Sequence, residues 1–102
     1  SRVGVVGIFT VPPEKQTDFL ASFKRYGDTV KSAPGFGGLA THRGLEAEHV
    51  STYEIWESAA AYQTATANGP VADALATVRA MASVTELHPY EVIRVCRFNP
   101  GT

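Results

Sequence analysis

The sequence predicts an α+β fold in which an antiparallel sheet carries helices on one face. Three observations predict it. Runs of alternating apolar residues occur at four places along the chain, stripes at helical spacing separate them, and Pro or Gly clusters stand at the junctions. With 102 residues, 44% apolar and 19% charged, the composition is globular, and the expectation is one domain over 1–102.

The first run, Arg2 to Val11, places Val3, Val5, Phe9 and Val11 on one face of a strand and Val6 and Ile8 on the other, so both faces call for cover. Pro12-Pro13 stops it. Pro13-Glu14 suits the first turn of a helix, where a missing N–H costs nothing and an acid meets the positive end of the dipole. From Glu14 to Ser32, Phe19, Leu20, Phe23, Tyr26 and Val30 form one stripe, with Lys15, Asp18, Lys24, Arg25 and Lys31 mainly off it. Ala33-Pro34-Gly35 then breaks the chain. Phe36 to Arg43 and His49 to Glu57 read as a hairpin around the turn 44–48. In the first of these, His42 shares strand parity with Phe36, Gly38 and Ala40. Ser58 caps a short alanine-rich helix to Ala67, because its hydroxyl accepts from the unpaired N–H groups of the first turn. Asn68-Gly69-Pro70 interrupts that helix, and Val71, Ala74, Leu75, Val78, Met81 and Ala82 mark another, to about Ser83. A last strand is expected from His88 to Phe98, with Tyr90, Val92, Arg94, Cys96 and Phe98 alternating with Glu91, Ile93, Val95 and Arg97.

The order β-α-β-β-α-α-β matches the ferredoxin-like split βαβ arrangement with its second helix broken in two. Helices cover one face of such a sheet. The other face would expose more apolar surface than a soluble monomer usually carries, so a homodimer with facing sheets is the expectation.

Composition also excludes several functions. Nine Lys+Arg against ten Asp+Glu give a net charge of -1, which offers no basic field for nucleic acid or anionic lipid. No apolar run approaches the roughly 20 residues of a membrane span. The single cysteine, Cys96, closes no intrachain disulfide and supplies no cysteine-based zinc site, so a cytoplasmic protein is expected. Gly4-Val5-Val6-Gly7 lies within a strand, and no phosphate-binding glycine loop follows any strand. His42, His49 and His88 show no metal-ligand spacing, and no serine occupies a nucleophile elbow.

What remains is Thr52-Tyr53-Glu54-Ile55-Trp56-Glu57-Ser58, followed by Tyr62. Tryptophan and tyrosine join a large apolar body to one hydrogen-bonding tip, which suits a dry pocket for a flat, partly polar ligand. Pro34-Gly35-Phe36, then Tyr53 to Ser58, then Ala61-Tyr62 resembles the antibiotic biosynthesis monooxygenase family of the dimeric α+β barrel superfamily, over almost the whole chain from Val3 to Val95. Within it, the similarity is nearest to small cofactor-independent oxygenases that oxidise a phenolic ring of a polycyclic aromatic polyketide to a quinone. The resemblance implies a homodimer, one pocket per subunit, a small aromatic substrate, O2 as co-substrate and no cofactor or metal.

Residue by residue, the resemblance implies that Trp56 binds substrate or the oxygen intermediate through its indole N–H and that Tyr62 meets substrate hydroxyl or peroxy groups. Thr52 stands where the similar oxygenases carry asparagine. The family arginine falls on Ala76 here, with Arg79 nearby at the edge of the apolar stripe. The expected catalytic set is therefore Trp56, Tyr62, Thr52 and His42, the last as a base because its ordinary pKa is near 6.5. Tyr53, Arg79 and Asn68 are the substrate-binding candidates. Haem-degrading relatives carry a histidine on the helix after the tryptophan strand, and 58–83 contains none. A polyketide cyclase or isomerase of the same fold and a non-catalytic aromatic-binding accessory dimer are the alternative readings.

Overall fold

In the computed structural model, which describes residues 1–46 and 48–97, four strands and three helices follow the expected order. Strand β1 (Val3–Thr10) leads through a single 3-10 turn at Pro13–Lys15 into α1 (Gln16–Val30). The hairpin β2 (Phe36–Arg43) and β3 (His49–Trp56) is followed by α2 (Ala59–Ala67), α3 (Pro70–Met81) and β4 (Val84–Glu91). The sheet order is β2-β3-β1-β4, with every neighbouring pair antiparallel. This is the ferredoxin-like arrangement, and it puts β3 and β1, whose inner faces are the most buried, in the centre.

All helices lie on one side. The inward row of β1, Val3, Val5 and Phe9, is buried and continues into Val11. Phe9, Phe19 and Phe23 form a ring cluster with centroids 5.3 to 6.0 Å apart, which joins β1 to α1. Phe19, Phe23, Tyr26 and Val30 are buried as their spacing predicts, and α3 adds Val71, Leu75 and Val78. Ser58 Oγ accepts from the Ala61 N–H at 3.1 Å and caps α2. Gly69, with φ of 86°, turns the chain into α3. The opposite sheet face carries Ile8, Tyr53 and Tyr90, each more than a third exposed.

Two expectations need correction. The last strand runs Val84–Glu91 rather than from His88 to Phe98. Its register is set by β1: Val84 pairs with Thr10 and Glu91 with Val3, and the ladder closes on Val92 N–H donating to Arg2 O at 3.0 Å. Beyond Glu91 no residue of β1 remains to pair, so 92–97 is not strand and Cys96 is exposed, while Phe98 lies outside the described residues. Pro89 sits inside β4 opposite Val5, as proline can on an edge strand.

The second correction concerns β2. Phe36 pairs with Trp56, but Gly38 pairs with Ile55, so Gly37 is the extra residue of a bulge. A bulge reverses the facing of everything after it. Phe36 and Leu39 therefore both turn toward the helices, and His42 is placed on the opposite face from Phe36.

Candidate functional site

Strand β3 is the backbone of the site. Its even-numbered residues Val50, Thr52, Glu54 and Trp56 are all buried beneath the helices. Two of these are polar, and one is an acid. Glu54 is 2% exposed and accepts hydrogen bonds from the Trp56 indole N–H at 2.8 Å and from the Tyr26 hydroxyl, which lies 2.9 Å from Oε2 and 3.1 Å from Oε1. Burial pushes the Glu54 carboxyl above the usual carboxylate range, and the two donors, Trp56 first, offset part of that rise. Burial, followed by the Glu54 charge, also holds the Tyr26 hydroxyl far above the ordinary tyrosine range, so it remains a donor.

Trp56 stands between two other rings. Phe36 meets it edge-on at 5.3 Å and Tyr62 at 5.7 Å, an arrangement favourable to aromatic pairs. Tyr62, on α2, is partly buried, and its hydroxyl makes no hydrogen bond to another described residue. Burial and then the Glu54 charge raise its pKa, while the Arg79 guanidinium lowers it. Arg79 itself lies exposed in the last turn of α3, so it reaches the cluster through its field on Tyr62.

The structure thus brings Trp56, Tyr62 and Thr52 to one side of the sheet, with Arg79 at its margin. It does not bring the other candidates there. Tyr53, one residue from Thr52, faces the other side, where its ring covers Gly4: a Cβ on Gly4 would lie 2.8 Å from Tyr53 Cε1. His42 is exposed on that same side of the edge strand β2, so it is no base for this cluster. Asn68 ends α2 and lines a separate open cleft of about 450 Å³ with Pro34, Ala61, Thr64 and Pro70. The expectation for Trp56 also changes, because its one donor is committed to Glu54 and the side chain is fully buried.

Glu54 is the residue that sequence reasoning left without a role. Its signal was its parity with Trp56, which places an acid on the inward face of a central strand. Thr52 is the other polar residue of that row, and its Oγ1 is buried with no hydrogen-bond partner among the described residues. A buried hydroxyl without a partner destabilises, so Thr52→Val is expected to raise stability by about 1 kcal/mol. A higher urea midpoint at unchanged slope checks this.

Among the described residues, no group of three or more His, Cys, Asp and Glu side chains is placed to hold a metal, and no helix is long and apolar enough to cross a membrane. Comparison with known proteins is informative at the level of family and fold. Residues 2–77 match the antibiotic biosynthesis monooxygenase family. The fold is similar to that of SnoaB, a cofactor-independent oxygenase from Streptomyces nogalater, with 21% identity, a TM-score of 0.81, and coverage of 92% of this chain and 95% of that one. It is also similar to Rv0793 from Mycobacterium tuberculosis (12% identity, TM-score 0.82, coverage 95% and 100%) and to a conserved protein from Methanosarcina mazei (19%, 0.78, 87% and 90%). No curated protein matches the sequence. With three quarters of its length matched and each strand and helix in the expected order, the chain belongs to the antibiotic biosynthesis monooxygenase family.

Proposed function

We propose that this protein is a cofactor-independent monooxygenase that oxidises a phenolic ring of a polycyclic aromatic polyketide to a quinone with O2. The observation that carries the reading is the Phe36–Trp56–Tyr62 ring cluster set directly against a buried acid, Glu54. Such a cluster brings flat apolar rings together with a group able to exchange a proton away from water.

Triplet oxygen reacts poorly with closed-shell phenols, and oxygenases generally use a metal or flavin to pass single electrons. An electron-rich phenolate supplies electrons itself. For an anthrone-type ring the balance is one ring plus one O2 giving one quinone and one water. The protein's tasks are to orient the rings, favour proton loss and stabilise developing oxyanions. Tyr62, whose hydroxyl has no hydrogen-bond partner among the described residues, is suited to donate to such an oxyanion, and Arg79 adds a positive field at the margin.

A second copy covering the exposed Ile8, Tyr53 and Tyr90 face is part of this reading, and light scattering at micromolar concentration is expected to give twice the chain mass.

Mixed aerobically with an anthrone, without added flavin or metal, the protein is expected to consume oxygen and form the quinone chromophore. Tyr62→Phe is expected to lower kcat about tenfold or more, the worth of one hydrogen bond to a charged group, with a melting temperature near that of the wild type. Turnover under strict anaerobiosis would favour a cyclase or isomerase, for which the same buried acid serves as a proton carrier. Binding without product in either atmosphere would favour an accessory role.

A further inference from the structure

The proposed oxidation begins with loss of a proton, and the catalytic candidates read from the sequence include no group in position to take it. His42 is on the wrong face, Trp56 is a donor only, and the Tyr62 hydroxyl is held protonated by burial and by Glu54. Among the described residues Glu54 is the one buried carboxylate, and none of them forms an ion pair with it. The ion pairs among those residues, Lys24–Asp28 and Lys31–Asp28, are on the surface of α1. A carboxylate kept from water without a countercharge costs several kcal/mol, which packing alone gives no reason to retain. Its two donors come from different elements, Tyr26 from α1 and Trp56 from β3, and they fix its orientation while leaving lone pairs on Oε2.

An open groove borders the β2 neighbours of the two buried polar residues. Leu39 of β2 is the register partner of Glu54, and Thr41 is that of Thr52. Both line an open groove of about 530 Å³ between α1 and β2, together with Phe23, Gly27 and Arg43. The groove and the two buried polar groups of β3 thus lie on either side of Leu39 and Thr41. β2 is an edge strand, held by one neighbour only, so its side chains have room to yield.

We propose that Glu54 is the proton acceptor of the oxygenase, reached by the phenolic ring from the α1–β2 groove past Leu39, with Tyr26 and Trp56 holding the carboxylate in place. This rests on the oxygenase reading and names its base. Glu54 takes the phenolic proton, and the electron pair left on the ring reduces O2 as a carbon–oxygen bond forms. The protonated Glu54 returns its proton to the outer oxygen, giving a hydroperoxide. Cleavage of the O–O bond, with loss of the hydrogen on the same carbon, releases water and leaves the quinone carbonyl. The ionisable groups facing Glu54 are Tyr26 from α1 and Tyr62 from α2, with Arg79 of α3 acting on Tyr62. Its register partners, Val5 and Leu39, carry no charge.

Trp56 is the only tryptophan and donates to Glu54, so its emission reports the protonation of that carboxyl directly. In the wild type, emission and kcat are expected to titrate together, at a pH above the ordinary glutamate range, with activity rising as Glu54 ionises. Glu54→Gln is expected to lose both titrations and at least about 100-fold in kcat, in line with removal of a general base, and Glu54→Asp to recover part of the rate. Two well-separated midpoints in the wild type would overturn the proposal without any variant. So would a folded Glu54→Gln with the wild-type rate and pH profile. A wild type that consumes no oxygen with any phenol sinks the oxygenase reading instead, whatever the emission titration shows.

Discussion

Trp56→Phe is expected to destabilise the protein by about 3 kcal/mol, a fall in melting temperature of about 10–20 °C for a chain of this size. Among the described residues the indole N–H is one of two donors to the buried Glu54 carboxylate, and hydrogen bonds to charged groups contribute about 1.5–3 kcal/mol. Phenylalanine also leaves a gap where the larger ring met Phe36 and Tyr62. The loss has a pH signature that a packing defect lacks. Without Trp56 the charged form of Glu54 is less well satisfied, so its folded-state pKa rises further. The variant is expected to lose most above that pKa, where Glu54 is ionised, and least below it, where the carboxyl is neutral. Thermal melts across this range check the trend.

The wild type should show the same linkage in milder form. Glu54 has a folded pKa raised above its unfolded value, so the native state binds more protons between the two. That contribution to stability is complete below the unfolded value and is lost as pH rises through the folded one.

Gly35→Ala is expected to cost about 2–4 kcal/mol, which makes the Pro34-Gly35-Phe36 element a structural requirement. Gly35 has φ of 85°, where a side chain costs about 1–2 kcal/mol. A Cβ there would also lie 2.7 Å from the Ala61 Cβ on α2 and 3.0 Å from Glu57 Cγ. Neither the turn nor the helix gives easily, because Gly35 O accepts from the Glu57 N–H at 2.8 Å and ties the turn to the end of β3. Gly69→Ala is the matched control. Its φ is 86°, yet nothing lies within 4 Å of the added Cβ, so only the backbone penalty of about 1–2 kcal/mol is expected. Denaturant unfolding of the two variants separates strain from collision.

Those two turns also show how far sequence reading reaches. Gly35 and Gly69 were legible as breakers because glycine next to proline punctuates structure locally, and the Phe19–Phe23–Tyr26–Val30 stripe was legible because burial on a helix repeats at a short, fixed spacing. The inward row of β1 and the cap at Ser58 belong to the same class: each depends on residues within a few positions of one another. The element order, and with it the family, follows from such local signals.

The site depends on contacts that cross elements. One extra residue at Gly37 turned His42 away from the helix layer, because strand facing has a period of two and nothing in the alternation marks where it slips. The start of β4 was decided by where β1 has residues to pair. Glu54 meets Tyr26 across 28 positions, and only the packing of α1 on β3 brings the phenol to the acid. The sequence by itself determined the types of element and their order, and strand parity puts Val50, Thr52, Glu54 and Trp56 in one row. Tertiary structure alone decided that this row holds a buried acid with, among the described residues, two donors and no countercharge, since desolvation and hydrogen bonding act on distances in space.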